Sequence, residues 1–219
     1  MIKEQLKVVA DAYRKLKSEY VLGMTSDKMR KVFLSAIKDR LGDCAVKYDF
    51  LCGKETLNID GVTKGFVPKI GDTVLIDISV RTECGWSDVC RTFFIGEPTK
   101  DLIKKYELIT RSIRSGEKAL KAGVKACDIY SAVNAEFIKS GYTLVHHAGH
   151  KIGTRALMQP QFLLDKTKKI KKGEYFTIES GLYDGCGIRL ENDYFINHGG
   201  AENLFEDLLP LDIKEYILQ

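Results

Sequence analysis

Four carboxylates stand inside apolar, strand-like runs. Asp77 lies in Val74-Leu75-Ile76-Asp77-Ile78, Asp88 in Trp86-Ser87-Asp88-Val89, Glu179 in Tyr175-Phe176-Thr177-Ile178-Glu179, and Glu191 within Gly187–Phe195. An unpaired carboxylate in a dry interior costs several kcal/mol, so it shifts its pKa or finds a cation. Four such groups, with His150 between the two pairs, exceed what ordinary ion pairs require and point to a metal site. Four acids and one imidazole make an oxygen-rich donor set, which suits Mn, Fe, Co or Zn better than a structural zinc site would. Two ions ~3.5–4 Å apart, bridged by carboxylates, would use this many ligands. The plainer alternative pairs individual acids with Arg91, Arg189 or lysines.

The elements that must position these groups are written twice. In Ile70-Gly71-Asp72-Thr73-Val74-Leu75-Ile76-Asp77 and Lys172-Gly173-Glu174-Tyr175-Phe176-Thr177-Ile178-Glu179, a glycine and then an acid open a strand, and the carboxylate of interest follows six residues after the glycine. A second carboxylate follows 11 residues later in the first half (Asp88) and 12 later in the second (Glu191). Gly23-Met24-Thr25-Ser26-Asp27-Lys28-Met29 likewise resembles Gly123-Val124-Lys125-Ala126-Cys127-Asp128-Ile129. The offset is 100 residues for Gly23 and Gly123, 102 for Asp77 and Glu179, and 103 for Asp88 and Glu191. This describes a duplicated helix-helix-strand-hairpin unit, with halves of roughly 1–97 and 98–200 and a short C-terminal tail. Apolar residues at steps of three and four predict helices over 3–20, from Thr25 or Ser26 to about 41, over about 102–120 and over 127–140. Strands are expected near 45–52, 73–81, 86–95, 142–147, 174–182 and 187–196. The tail after Gly199-Gly200 is expected to pack as a short helix.

Composition bounds the rest. With 219 residues, 44% hydrophobic and 29% charged, the chain has the profile of an ordinary globular domain. A net charge of +4 is too small to argue for nucleic acid. The run Lys166–Lys172 reads as a solvated loop. No apolar stretch is long enough to span a bilayer, and the N-terminus lacks a signal-peptide core. The six cysteines form no CxxC pair, which fits reduced core residues and a cytoplasmic protein.

The order Asp77, Asp88, His150, Glu179, Glu191, with the contexts Asp88-Val89-Cys90-Arg91-Thr92-Phe93, Gly149-His150-Lys151-Ile152-Gly153, Thr177-Ile178-Glu179-Ser180-Gly181 and Gly187-Ile188-Arg189-Leu190-Glu191, resembles the methionine aminopeptidase/X-prolyl aminopeptidase/creatinase superfamily. The resemblance runs from residue 3 to about 200. It implies an α+β pita-bread fold, two pseudo-symmetric halves around a curved, mainly antiparallel sheet, in a single metallopeptidase-type domain over 1–219. The separate N-terminal domain of longer relatives is expected to be absent. Arg189, two residues before Glu191, and His146, four before His150, resemble the X-prolyl aminopeptidase and prolidase branch.

That resemblance implies a cytoplasmic metallopeptidase that removes N-terminal residues from small peptides of X-Pro type, in the notation of that branch, using two divalent ions. Manganese is the first expectation, with Co, Fe or Zn as alternatives. Asp77, Asp88, His150, Glu179 and Glu191 would be metal ligands. Glu179 would also act as general base, with His146 as the second catalytic residue. His146 and Arg189 would contact substrate, while His147 and His198 would be structural or exposed. A homodimer is expected; a nucleic acid or membrane partner is not. The chain departs from the family in two places. Leu157 stands seven residues after His150, where a pocket histidine is usual, and Asp60 stands where the first half usually supplies another. These losses leave a rival reading open, a metal-binding but catalytically weak interaction protein.

Overall fold

The computed structural model describes residues 2–219. Two helices, α1 (Lys3–Glu19) and α2 (Ser26–Leu41), precede a strand β1 (Val46–Cys52) and the hairpin β2 (Thr73–Thr82) and β3 (Gly85–Ile95). The second half repeats the order with α3 (Lys100–Ala119), α4 (Ala126–Lys139), short strands β4 (His150–Ile152) and β5 (Met158–Gln161), and the hairpin β6 (Tyr175–Asp184) and β7 (Cys186–Ile196). The strands form one sheet in the order β1-β2-β3-β7-β6-β4-β5. The two hairpins therefore lie at the middle, and the halves meet where β3 and β7 pair antiparallel at Cys90 and Glu191. This is an α+β architecture of two similar halves around one mainly antiparallel sheet, as the family resemblance implies.

The helices form where the apolar spacing predicts. Thr25 and Thr99 accept hydrogen bonds from Lys28 N and Leu102 N and cap α2 and α3. Buried Leu6, Val9, Tyr13 and Leu16 of α1 and Ile109 and Ile113 of α3 pack on the sheet face that carries Ile76, Ile78, Val89, Ile178 and Leu190. Fully burying each such side chain stabilises by about 1.5–3 kcal/mol. Alternation along the strands sends Asp77, Asp88, Glu179 and Glu191 of the same strands to the other face.

The duplication extends to individual hydrogen bonds. Gly71 N donates to Ile95 O at 2.8 Å and Ile95 N to Asp72 O at 2.9 Å. In the second half, Gly173 N donates to Ile196 O at 2.8 Å and Ile196 N to Glu174 O at 3.0 Å.

Two expectations are corrected. Residues 142–147 form no strand, because α4 takes their polar groups instead: Asn134 accepts from Leu144 N, and Tyr130 donates to Leu144 O. Pairing starts only at β4. The tail forms no α-helix. It makes strand β8 (Ala201–Asn203) against β7, a 3-10 turn over Ile213–Tyr216, and strand β9 (Ile217–Leu218) parallel to β3.

Candidate metal centre

Residues directly opposite on neighbouring strands share a face of the sheet. Asp49 faces Asp77 across β1 and β2, Asp77 faces Cys90 across β2 and β3, Cys90 faces Glu191 across β3 and β7, and Glu191 faces Glu179 across β7 and β6. The register thus draws one row across both halves on the polar side of the sheet. Asp88 and Asp193, two residues further along β3 and β7, fall on the same side.

His150 reaches this row from β4. Its backbone N–H donates to Thr177 Oγ1 at 3.1 Å. Gly149 permits the approach: its φ is +124°, and a Cβ there would lie 2.2 Å from Thr177 O. The side chain then comes 3.6 Å from both Asp88 Oδ2 and Glu191 Oε1 through Nε2. Asp88, His150 and Glu191 are buried and offer ligand atoms within 4.8 Å of one another.

The proton positions in this cluster follow from its partners. His150 Nδ1 lies 3.1 Å from Lys151 O, which can only accept, so Nδ1 carries the hydrogen. Burial, followed by the nearby His147, lowers the His150 pKa to about 4, so the neutral ring turns its Nε2 lone pair toward two carboxylates. Glu191 Oε1 has no hydrogen-bond partner. Burial, then Asp88 and Glu179, raises the Glu191 pKa well above its usual range, and burial, then Asp77 and Asp193, does the same for Asp88. Acceptors that face one another in a dry site call for a cation or a proton between them. One nitrogen and two carboxylates are the donor set of a divalent transition metal, so the residues fit such an ion.

Asp77 and Glu179 sit differently. Arg189 Nη2 lies 3.1 Å from Asp77 Oδ2 and 3.2 Å from Asp49 Oδ2, while Nη1 lies 3.8 Å from Glu179 Oε1 and donates to Ile59 O at 2.7 Å. Burial pushes the Asp77 pKa up to about 7 against the pull of Arg189. At Glu179 burial acts in the same direction, but His146, His147 and Arg189 outweigh it and bring the pKa down to about 2. Glu179 lies 3.3 Å from His147 Nδ1 and 3.7 Å from His146 Nδ1. His146, His147 and Glu179 form a second group whose ligand atoms lie within 4.8 Å of one another.

Asp88, His150 and Glu191 therefore converge, whereas Asp77 meets Arg189 and Glu179 meets histidines. Among the described residues, Arg91 pairs with no carboxylate. It lies on the helix side of the sheet, fully buried, and donates to Tyr216 Oη, Asn192 Oδ1 and the carbonyls of Cys90, Glu191 and Leu209.

Sequence reasoning missed Asp49, His147 and Asp193. Asp49 alternates correctly within β1, but its register against β2 is not legible in the chain. Asp193 lies two residues after Glu191 and accepts from Asp88 N at 3.1 Å, so the strand period alone could have found it. Nothing in the sequence separates His147 from a surface histidine. Asp60 and Leu157 are both exposed. His198 is exposed beside Lys172, away from this group.

A sequence model of metallopeptidase family M24 matches residues 1–198. The probable dipeptidase PepE of Mycobacterium tuberculosis is 31% identical over 136 residues, covering 60% of this chain and 36% of that protein. Among solved structures, the X-Pro aminopeptidase from Thermotoga maritima superimposes with a TM-score of 0.90 at 23% identity, over 99% of this chain and 61% of that one. The prolidase from Pyrococcus furiosus gives 0.87 at 23% identity, over 93% and 62%. The chain thus spans little more than a third of the curated relative and about three fifths of the two solved proteins.

Proposed function

The chain belongs to metallopeptidase family M24, and from that premise we propose that it is a dinuclear-metal exopeptidase that hydrolyses X-Pro bonds at the N-termini of short peptides. The observation that carries the reading is the contact of His150 Nε2 with Asp88 and Glu191 at 3.6 Å, acceptors against acceptors in a buried cluster. Six carboxylates (Asp49, Asp77, Asp88, Glu179, Glu191 and Asp193) share this face of the sheet with one guanidinium, Arg189. That excess of negative charge supports two divalent ions over one. The oxygen-rich set favours manganese, with Co, Fe or Zn as alternatives. The X-Pro assignment rests on His146 and Arg189 and on the resemblance to the aminopeptidase and prolidase structures. We take residues 1–219 as one catalytic domain. The unpaired spacing of the cysteines supports a cytoplasmic setting, and the resemblance supports a homodimer. No helix among the described residues is long and apolar enough to cross a membrane.

Asp77, Asp88, His150, Glu179 and Glu191 would hold the ions, which when bound lower the pKa of water and polarise a carbonyl oxygen. Glu179 takes the proton of the attacking water at a carboxylate oxygen and returns it to the leaving amine. His146, His147 and Arg189 together hold that carboxylate below its usual range, and so ionised at neutral pH, while burial lowers the His146 pKa itself. His146 donates from Nδ1 to His147 O at 2.7 Å, so its Nε2, buried and without a partner, offers a lone pair to a substrate N–H. Arg189 was the second expected substrate contact. Its side chain is 3% exposed and engaged with Asp49, Asp77 and Ile59, so we assign it a positioning role.

The test is turnover of X-Pro dipeptides, X-Pro-Y tripeptides and Met-Ala-Ser peptides by manganese-loaded protein. X-Pro cleavage is expected. Cleavage of the Met peptide alone would overturn the branch assignment. Bound metal without any turnover would favour the binding-protein reading, which the exposed Asp60 and Leu157 at the two histidine positions support.

A further inference from the structure

The two halves are joined unlike either hairpin. The hairpins pair along the whole of β2 and the whole of β6, but β3 and β7 share one register position, Cys90 against Glu191. Side chains carry much of this junction. Thr92 Oγ1 donates to Arg189 O and accepts from Arg189 N, each at 3.0 Å. Arg91 Nη1 donates to both carbonyls of the register pair, Cys90 O at 2.9 Å and Glu191 O at 2.7 Å. Asp88 comes from one strand and Glu191 from the other, so the spacing of these two carboxylates depends on how the junction is held. The C-terminal tail holds Arg91 in turn. Nε donates to Tyr216 Oη at 2.8 Å, and Nη2 donates to Leu209 O at 2.8 Å and to Asn192 Oδ1 at 2.7 Å. The Phe205 ring lies 4.7 Å from the guanidinium carbon.

All five guanidinium N–H groups are thus used, each on a neutral acceptor. A buried charge without a counter-charge is a costly way to dock a tail, because apolar packing does so without the desolvation. What the fork adds is direction: one nitrogen bonds both strands at the place where they meet. We propose that Arg91 is a positioning residue for the metal centre. Braced by Phe205, Leu209 and Tyr216, it fixes the backbone of Cys90 and Glu191 and so sets the Asp88–Glu191 spacing from the opposite face of the sheet. The three bracing residues lie beyond the residues 1–198 that the family model matches. Loosening the tail therefore weakens metal binding without touching a ligand. The metal part rests on the function proposed above, whereas the fixing of the junction holds for metal-free protein too.

The experiment titrates Mn2+ into wild type, Arg91→Lys, Arg91→Met and Tyr216→Phe, reading free ion by EPR. On metal-free protein it also follows, by NMR, hydrogen exchange of the Asp88 amide, which donates to Asp193 across the junction. Leu16→Ala, a cut in the core under α1, controls for lost stability alone. Arg91→Lys keeps the charge and loses the fork, so it and Arg91→Met are expected to bind Mn2+ about tenfold or more weakly. Tyr216→Phe removes one brace and should weaken binding about threefold. In all three the Asp88 amide should exchange faster, while Leu16→Ala melts earlier at unchanged affinity. Wild-type affinity in the Arg91 variants would overturn the proposal, as would an equal loss in Leu16→Ala. If the Arg91 variants do not fold, Tyr216→Phe decides, and wild-type affinity and exchange in it would overturn the proposal. If wild type binds no Mn2+, the metal reading fails instead. The Asp88 amide then decides the clamp, and unchanged exchange in the variants would overturn it.

Discussion

Asp77 and Glu179 occupy equivalent places in the two halves, each six residues after a strand-opening glycine, and they end in opposite states. Asp77 is raised to about 7, while Glu179 is lowered to about 2. Glu179 is buried, Asp77 is partly buried, and both lie against Arg189. The difference comes from the rest of their surroundings. The first half brings only further carboxylates to the site, Asp49 and Asp88. The second half brings His146, His147, His150 and the guanidinium itself. The duplicated backbone sets where the carboxylates stand, and the non-duplicated side chains decide which one is held ionised. The second half also supplies the irregular piece. β1 pairs with β2 along its full length, whereas β4 has three residues and a register shift at His150 and Lys151. A regular strand there would not turn His150 into the carboxylate row.

This comparison can be broken or sharpened by experiment. The largest effect is expected where the halves meet. Asp88→Asn and Glu191→Gln each remove one carboxylate from the shared cluster, and each should lower kcat/KM ~10³-fold or more, about 4 kcal/mol of barrier. A large loss for one and a small loss for the other would mean that the halves do not share a centre. Next is Arg189→Met, which strands Asp77, Asp49 and Glu179 without their common cation. Removing one member of a buried ion network costs about 3–5 kcal/mol, read as a fall in melting temperature. Bound Mn2+ should recover part of it, and a variant as stable as wild type without metal would contradict the pairing.

The pH dependence separates the two carboxylates further. Between about pH 4 and 7, folded metal-free protein holds a proton on Asp77 that the unfolded chain has released. Its contribution therefore makes stability fall as pH rises through that window, by on the order of 4 kcal/mol for the full shift. Asp88 and Glu191 act in the same sense. Glu179 acts oppositely: its contribution is present above its unfolded pKa and is lost as pH falls from about 4.5 toward 2. Thermal melts of metal-free Asp77→Asn and wild type across pH 4–8 should show a weaker pH slope in the variant. Identical slopes would contradict this assignment.

The smallest expected effect concerns the two positions without histidine. Asp60→His with Leu157→His should raise X-Pro turnover about tenfold. An unchanged rate would show that these side chains do not reach the substrate.

Much of this arrangement was legible in the chain. The glycine-acid-strand repeat located both hairpins within a few residues, and carboxylates interrupting apolar runs marked Asp77, Asp88, Glu179 and Glu191. The rest depends on register and on tertiary partners. Residues 142–147 look like a strand because Tyr142, Leu144 and Val145 are apolar, yet Asn134 and Tyr130 of α4 take the backbone N–H and C=O of Leu144. Asp49 joins the row only through its pairing with Asp77, a contact 28 residues away in sequence. Arg189 was legible as part of a motif, but its three carboxylate partners come from three different strands.

The most direct measurement is anomalous diffraction from crystals grown with manganese. A manganese peak enclosed by Asp88, His150 and Glu191, with a second one beside Asp77 and Glu179, is the predicted outcome. Featureless anomalous density, with the same side chains turned away from one another, would contradict the account.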